Sequence, residues 1–170
     1  MTTPAALNIF LLLDTSASMT GAPLEALKQG VSLIHNTLGA QSNRPVAFAA
    51  ITYESQAKVL CPLQDVKKPF SLPELEPGGT SGLGGAFRLL KETLQPKVKT
   101  LVYVFTDGEE PSDEWEPPLA AIKGSVEHIY GMACGMYSRV ELMRQFSDAV
   151  YVLRELTPDS VFTTFRAYVG

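Results

Sequence analysis

The chain has 170 residues, of which 45% are apolar, and this length and composition fit one globular domain spanning residues 1–170. Its net charge is −4 and it contains no run of Lys or Arg, which argues against binding to nucleic acid or to an anionic membrane. No apolar stretch reaches the roughly 18 residues that cross a bilayer, and the N-terminal residues lack the basic segment of a signal peptide.

The first third of the chain predicts strands and one helix. Residues 7–13 are almost continuously apolar, as in a strand that is covered on both faces. Apolar side chains then recur every three or four residues over 23–39, which is typical of a helix with one buried face. Residues 46–53 predict a second buried strand. The connection 54–56 is short enough for a hairpin, so a third strand over 57–61 is expected to run antiparallel at a sheet edge.

The rest of the chain continues this alternation after an irregular segment, residues 62–81, that is rich in proline and glycine. A loop of this length inside a compact domain is usually functional or mobile. The elements predicted beyond it are a helix over 83–94, a strand over 100–105, a short helix over 112–122, a strand over 126–134, a helix over 140–146, a strand over 149–153 and a last helix from Thr157. Alternating strands and helices indicate an α/β, Rossmann-like, doubly wound fold. We therefore expect a mainly parallel six-stranded sheet with one antiparallel edge strand and helices on both faces.

The two cysteines, Cys61 and Cys134, both lie in apolar, strand-like surroundings. Such positions favour buried, reduced thiols over a disulfide. Because reduced cysteines are typical of the cytosol, the sequence predicts a cytoplasmic location.

Oxygen-bearing side chains follow two of the buried strands and precede one helix. Asp14, Ser16 and Ser18 come directly after the first strand, Thr80 precedes the helix at residue 83, and Asp107 follows the strand over 100–105. Singly, each of these residues is more often a helix cap than a metal ligand. In open sheets, however, sites form at the carboxyl ends of the strands, where three such loops can meet. Carboxylates and hydroxyls are the hard oxygen ligands that Mg²⁺ prefers.

The pattern Asp14-Thr15-Ser16-Ala17-Ser18, followed by Thr80 and then Asp107, resembles the metal-ion-dependent adhesion site of von Willebrand factor A-type (VWA) domains. The family pattern is D-x-S-x-S, a distal Thr and a distal Asp, in that order and at similar spacing. The resemblance covers essentially the whole chain, and the order of strands and helices is also similar. Relatives often have Gly where this chain has Ala17, a small change that should not abolish metal binding.

The resemblance implies a role for each of these residues around Mg²⁺ (or Mn²⁺). Ser16 and Ser18 would bind the ion directly, and Thr80 directly or through water. Asp14 and Asp107 would act mainly through bound waters and balance its charge. Because most of these ligands are neutral, an Asp or Glu of a protein partner could replace one water, which is the adhesion mechanism of the family. The resemblance thus implies a metal-dependent protein-interaction module and not an enzyme.

Two further segments resemble a narrower bacterial branch of the family. They are residues 105–115, with the sequence FTDGEEPSDEW, and residues 62–65, with the sequence PLQD. This branch contains the small stand-alone proteins of tellurium-resistance and stress gene clusters (TerY-like). The resemblance implies that the partner belongs to a bacterial complex of that type.

Alternatives to the adhesion function remain open. The chain could be a metal-dependent hydrolase that uses Asp14 as phosphatases do, but those enzymes usually need a second acid two residues later, where Ser16 stands, and a positioned Lys. It could also be a scaffold whose metal only ties loops together.

Residues 78–85 are rich in glycine but lack the ending of a phosphate-binding loop. The acidic residues within 107–116 could form an electronegative rim that selects the partner. Alternatively, they could stabilise the positive end of a helix dipole.

Overall fold

A computed structural model of the chain describes residues 7–136 and 138–169. Within that part of the chain, six strands form one sheet. They are β1 (Leu7–Asp14), β2 (Val46–Tyr53), β3 (Ala57–Asp65), β4 (Lys99–Thr106), β5 (His128–Ala133) and β6 (Ala149–Val152). The order in space is β3-β2-β1-β4-β5-β6. Only the β2–β3 pair is antiparallel, which confirms the mainly parallel sheet with one antiparallel edge strand.

Helices cover both faces of this sheet. They are α1 (Ala22–Gln41), α2 (Leu83–Thr93), α3 (Glu116–Ile122), α4 (Val140–Met143) and α5 (Pro158–Val169). Side chains of β1 point alternately to the two faces. Leu11 and Leu13 join the core under α1 and α5, whereas Phe10 and Leu12 join the core under α2, α3 and α4. This arrangement confirms the doubly wound α/β fold. None of the described helices is long and apolar enough to cross a membrane.

Three element boundaries differ from the predictions by three residues or more. The strand β3 continues to Asp65, four residues beyond the predicted end, because a proline such as Pro62 is tolerated on an edge strand. The helix α3 begins at Glu116, since Asp113 before it accepts hydrogen bonds from Gly84 and Gly85 of α2. The helix α4 is a single turn and ends at Met143.

The segment 66–82 forms no helix or strand, and its path across the domain brings Thr80 to the turn that follows β1. Because β3 is antiparallel, this segment starts at the edge of the sheet where the parallel strands begin, and it must return to the opposite edge to enter α2. On the way Phe70, Leu72 and Leu75 pack against the core beneath α1. The segment then reaches the carboxyl edge of the sheet, where Gly78 donates a backbone hydrogen bond to the Thr15 carbonyl at 3.0 Å.

Candidate metal centre

Asp14 is the last residue of β1, and both of its carboxylate oxygens are held by hydrogen bonds. Its Oδ1 accepts the Ser16 backbone N–H at 2.8 Å, and its Oδ2 accepts the Thr106 hydroxyl at 2.7 Å. The Ser81 hydroxyl lies 3.5 Å from the same Oδ2. Thr106 reaches Asp14 because β1 and β4 are parallel neighbours, with Leu13 opposite Phe105. The sheet register therefore fixes the position of this carboxylate.

The Asp14 carboxylate is fully buried and lacks a positive neighbour. Burial raises its pKa above the ordinary value, the hydrogen bonds from Ser16 and Thr106 oppose this, and the charge of Asp107 raises the pKa further. In residues 7–136 and 138–169, no Lys, Arg or His forms an ion pair with Asp14. A buried carboxylate without a counter-charge is costly. A bound cation would remove this cost, so the electrostatics of the site fit a metal ion.

Ser16 and Ser18 lie in the turn that follows β1. A single turn of 3₁₀ helix, Ala17–Met19, brings the two hydroxyl oxygens within 3.3 Å of each other. Neighbouring oxygens bound to Mg²⁺ at 2.0–2.1 Å in octahedral geometry are about 2.9 Å apart. A movement of a few tenths of an ångström would therefore let both hydroxyls bind one ion.

The donor set is rich in hydroxyl groups. No three His, Cys, Asp or Glu side chains of the described chain come together as a metal cluster. A cation at this edge of the sheet would therefore take much of its coordination from Ser and Thr oxygens and from water. Such a set of hard, mostly neutral oxygens fits Mg²⁺ or Mn²⁺.

The Thr80 loop is tied to the serine turn through its backbone. The Ala17 N–H donates to the Gly79 carbonyl at 3.0 Å. Gly79 has a φ of 72°, a backbone conformation that favours glycine. The next residue, Thr80, has an exposed side chain beside the serine turn, and its hydroxyl makes no hydrogen bond to any other described residue. This hydroxyl is free to bind an ion.

Asp107 follows β4 and stands at the same edge. Its Oδ1 accepts the Glu109 N–H at 3.0 Å, and its backbone carbonyl accepts the Arg139 N–H at 2.8 Å. The side chain is half-buried, and its charge acts on Asp14. The structure thus gathers Asp14, Ser16, Ser18 and Asp107 at the ends of β1 and β4, with the Thr80 loop against them.

Two residues that contact Asp14, Thr106 and Ser81, are not among the predicted ligands. Thr106 precedes Asp107, and its hydroxyl also accepts the Gly108 N–H at 3.1 Å. Pairing of the first and fourth predicted strands in parallel register would have placed it beside Asp14. Ser81 follows the predicted ligand Thr80 in the glycine-rich segment 78–85. No sequence signal pointed to its contact with Asp14.

The acidic residues near the site serve different purposes. Asp113 accepts the N–H groups of Gly84 and Gly85, each at 3.0 Å, and lies 3.6 Å from Arg88. It therefore caps α2 and not the helix that follows it in sequence. Two exposed carboxylates come just after Asp107 in the chain, and we call them the acidic rim. The acidic rim consists of Glu109 and Glu110.

Comparisons with known proteins agree with this fold. The structure is similar to an aerotolerance-related membrane protein from Bacteroides fragilis, with 16% identity and a TM-score of 0.67, over 95% of this chain and 98% of that one. It is similar to a von Willebrand factor type A protein from Catenulispora acidiphila, with 17% identity and a TM-score of 0.66, over 95% of this chain and 41% of that one. It is also similar to proximal thread matrix protein 1 of the mussel byssus with a zinc-occupied MIDAS motif, with 14% identity and a TM-score of 0.64, over 95% of this chain and 46% of that one.

This chain therefore spans nearly all of the first of these structures and less than half of the other two. At these identities the likeness concerns the fold alone. A comparison with curated protein sequences gave no significant match. The family model of the von Willebrand factor type A domain matches residues 9–110, which is more than half of the chain. The chain therefore belongs to the von Willebrand factor type A domain family.

Proposed function

We propose that this domain binds Mg²⁺ or Mn²⁺ through Asp14, Ser16, Ser18, Thr80 and Asp107, and through that ion the carboxylate of a protein partner. The observation that carries the proposal is the fully buried, unpaired Asp14 carboxylate beside two serine hydroxyls that are 3.3 Å apart. Domains of this family commonly mediate metal-dependent protein interactions.

The residues of the site would contact the ion in different ways, some directly and others through water. Ser16 and Ser18 bind the ion through their hydroxyls, and Thr80 binds it directly or through water. Asp14 and Asp107 accept hydrogen bonds from bound water and balance part of the charge. The bound cation supplies positive charge and an exchangeable coordination position for the incoming carboxylate. Because the nearest ligands are neutral, enough positive charge remains to attract that carboxylate.

The acidic rim limits which partners can bind. Glu109 and Glu110 repel an acidic surface except where the cation screens them. The partner therefore carries basic residues around its contacting Asp or Glu, and salt slows its association. We further propose a cytoplasmic bacterial complex of the tellurium-resistance or stress type. Its support is the sequence resemblance together with the two buried, free cysteines.

A synthetic peptide tests this function. We expect a lysine-rich peptide with one central glutamate to bind in Mg²⁺ and to lose about tenfold in affinity in EDTA, because the glutamate loses its metal bond. Thr80→Ala should weaken binding in Mg²⁺ while leaving the unfolding midpoint unchanged, since this exposed hydroxyl packs against nothing in the core. Fluorescence anisotropy gives the affinity, and urea unfolding gives the stability.

Two controls accompany that measurement. The same peptide with glutamine in place of glutamate should bind equally with and without Mg²⁺. Thr163→Ala changes an exposed threonine on α5 and should leave peptide affinity unaltered. If the glutamate peptide binds equally in Mg²⁺, in EDTA and to Thr80→Ala, the metal only ties loops together and the interface lies elsewhere.

We also propose that the domain is not an enzyme. A phosphatase-like reaction would need the Asp14 carboxylate as a nucleophile, yet this side chain is fully buried and both of its oxygens accept hydrogen bonds. No lysine of the described chain pairs with it. We expect no hydrolysis of p-nitrophenyl phosphate in Mg²⁺ or Mn²⁺ above that of an Asp14→Asn variant. Turnover by the wild-type protein that disappears in Asp14→Asn would establish the hydrolase instead.

A further inference from the structure

An open cavity of about 580 Å³ lies at the edge of the sheet where β4 and β5 begin. Three lysines and one glutamate line it, and all four side chains are exposed. We call these residues, Lys91, Lys97, Lys99 and Glu127, the basic pole. The strand β4 runs from Lys99 to Thr106, so the basic pole and the candidate metal centre lie at opposite ends of one strand, roughly 23 Å apart.

Two lysines of the basic pole, Lys91 and Lys97, carry charges that the described part of the fold does not use. Lys97 has a φ of 71° and is the one non-glycine residue of the described chain with a positive φ. Glycine would adopt this conformation without strain, so a lysine here indicates a use for its side chain. Lys91 and Lys97 form no ion pair with any described residue. Their charges are therefore available to an acidic surface outside the chain.

The opposite end of the molecule carries the complementary charge. The acidic rim, formed by Glu109 and Glu110, follows Asp107 at the candidate metal centre. The partner inferred above must offer a carboxylate surrounded by basic side chains. The basic pole of this chain has that composition, because Glu127 lines the same cavity as three lysines.

We propose that a second copy of this chain is the partner, docking its basic pole on the acidic rim and directing Glu127 to the cation. The inference rests on the proposed metal-dependent function. Each docked pair leaves one acidic rim and one basic pole unoccupied, so the contact is heterologous and copies add head to tail. Opposite charges at the two ends favour this contact and oppose a symmetric, like-to-like dimer.

Sedimentation velocity on the whole chain tests the proposal through two neutralising double variants. Wild-type protein in Mg²⁺ at low salt should form species larger than the monomer as concentration rises, and high salt should dissociate them. Lys91→Gln with Lys97→Gln removes the basic pole, and Glu109→Gln with Glu110→Gln removes the acidic rim. Each double variant alone should associate about tenfold more weakly. An equimolar mixture of the two should form a dimer and stop there, because only one intact pair of surfaces exists.

Further variants separate the parts of the contact. Lys28→Gln with Lys58→Gln removes the same charge away from the basic pole and should associate like wild type. Glu127→Gln should keep the salt-dependent association and lose its Mg²⁺ dependence. The proposal is overturned if the wild-type protein stays monomeric, or if either double variant associates as strongly as wild type. The role of Glu127 is overturned if association of Glu127→Gln still responds to Mg²⁺.

Calorimetric Mg²⁺ titration of the same samples distinguishes failure of the self-association from failure of the proposed function. Metal binding without association refutes the self-association alone, whereas absence of metal binding refutes the proposed function.

Discussion

Replacement of Asp14 by alanine is expected to abolish binding of Mg²⁺ and Mn²⁺. The Asp14 carboxylate is the fully buried charge of the site, and it orients the turn that carries both serine hydroxyls by accepting the Ser16 N–H. Isothermal titration of metal-stripped protein should show saturable binding for wild type and none for Asp14→Ala. Metal should also stabilise only the wild type, by about 2.7 kcal/mol at a hundredfold excess over the dissociation constant.

Asp14→Asn is the matched control for this experiment. An asparagine oxygen can still accept the Ser16 N–H and its amide can donate to the Thr106 oxygen, so the shape of the site is kept while the charge and the acceptor of the Thr106 hydroxyl proton are lost. Because burial raises the pKa of Asp14, the fold disfavours its charged form, and in EDTA Asp14→Asn should be at least as stable as wild type. Unchanged Mg²⁺ affinity in a folded Asp14→Asn would contradict the assignment of this carboxylate.

The architecture could be predicted because the buried strands are nearly continuous apolar runs. Residues 7–13 and 100–105 predicted strands that the structure places side by side at the centre of the sheet. Element boundaries were harder because distant contacts decide them. The helix α3 starts later than predicted because Asp113 accepts hydrogen bonds from α2, a helix that begins about 30 residues earlier in the chain.

Much of the candidate site could also be predicted, because its residues follow strands or lie within one short motif. Asp14, Ser16 and Ser18 are close in sequence, and parallel pairing brings Asp107 to the same edge of the sheet. The contact of Ser81 with Asp14 depends on how the segment 66–82 crosses the domain, and no local pattern encodes that path. The lysines of the basic pole all lie within residues 91–99, and only the pairing of β4 with β5 brings the distant Glu127 beside them.

Thr106→Val is expected to weaken metal binding 10- to 100-fold, although Thr106 itself is not a proposed ligand. The buried Thr106 hydroxyl donates to Asp14 Oδ2 at 2.7 Å and accepts the Gly108 N–H at 3.1 Å. Valine has nearly the same volume but cannot make either bond, so one carboxylate oxygen and one N–H lose a partner. Unfolding in urea with EDTA should show a loss of about 1–3 kcal/mol, the cost of leaving buried polar groups unpaired.

Thr106→Ser separates the hydroxyl from the methyl group at this position. Serine keeps both hydrogen bonds and removes one methyl, so Mg²⁺ affinity from isothermal titration should stay close to that of wild type while stability falls by about 1 kcal/mol. If Thr106→Val loses Mg²⁺ affinity and Thr106→Ser keeps it, Thr106 supports metal binding through its hydroxyl. Stability should fall in both variants, because it depends on the hydroxyl and on the methyl group. If Thr106→Val binds Mg²⁺ as tightly as Thr106→Ser, the Asp14 carboxylate is held without Thr106, and its position depends on the Ser16 backbone and the Ser81 hydroxyl instead.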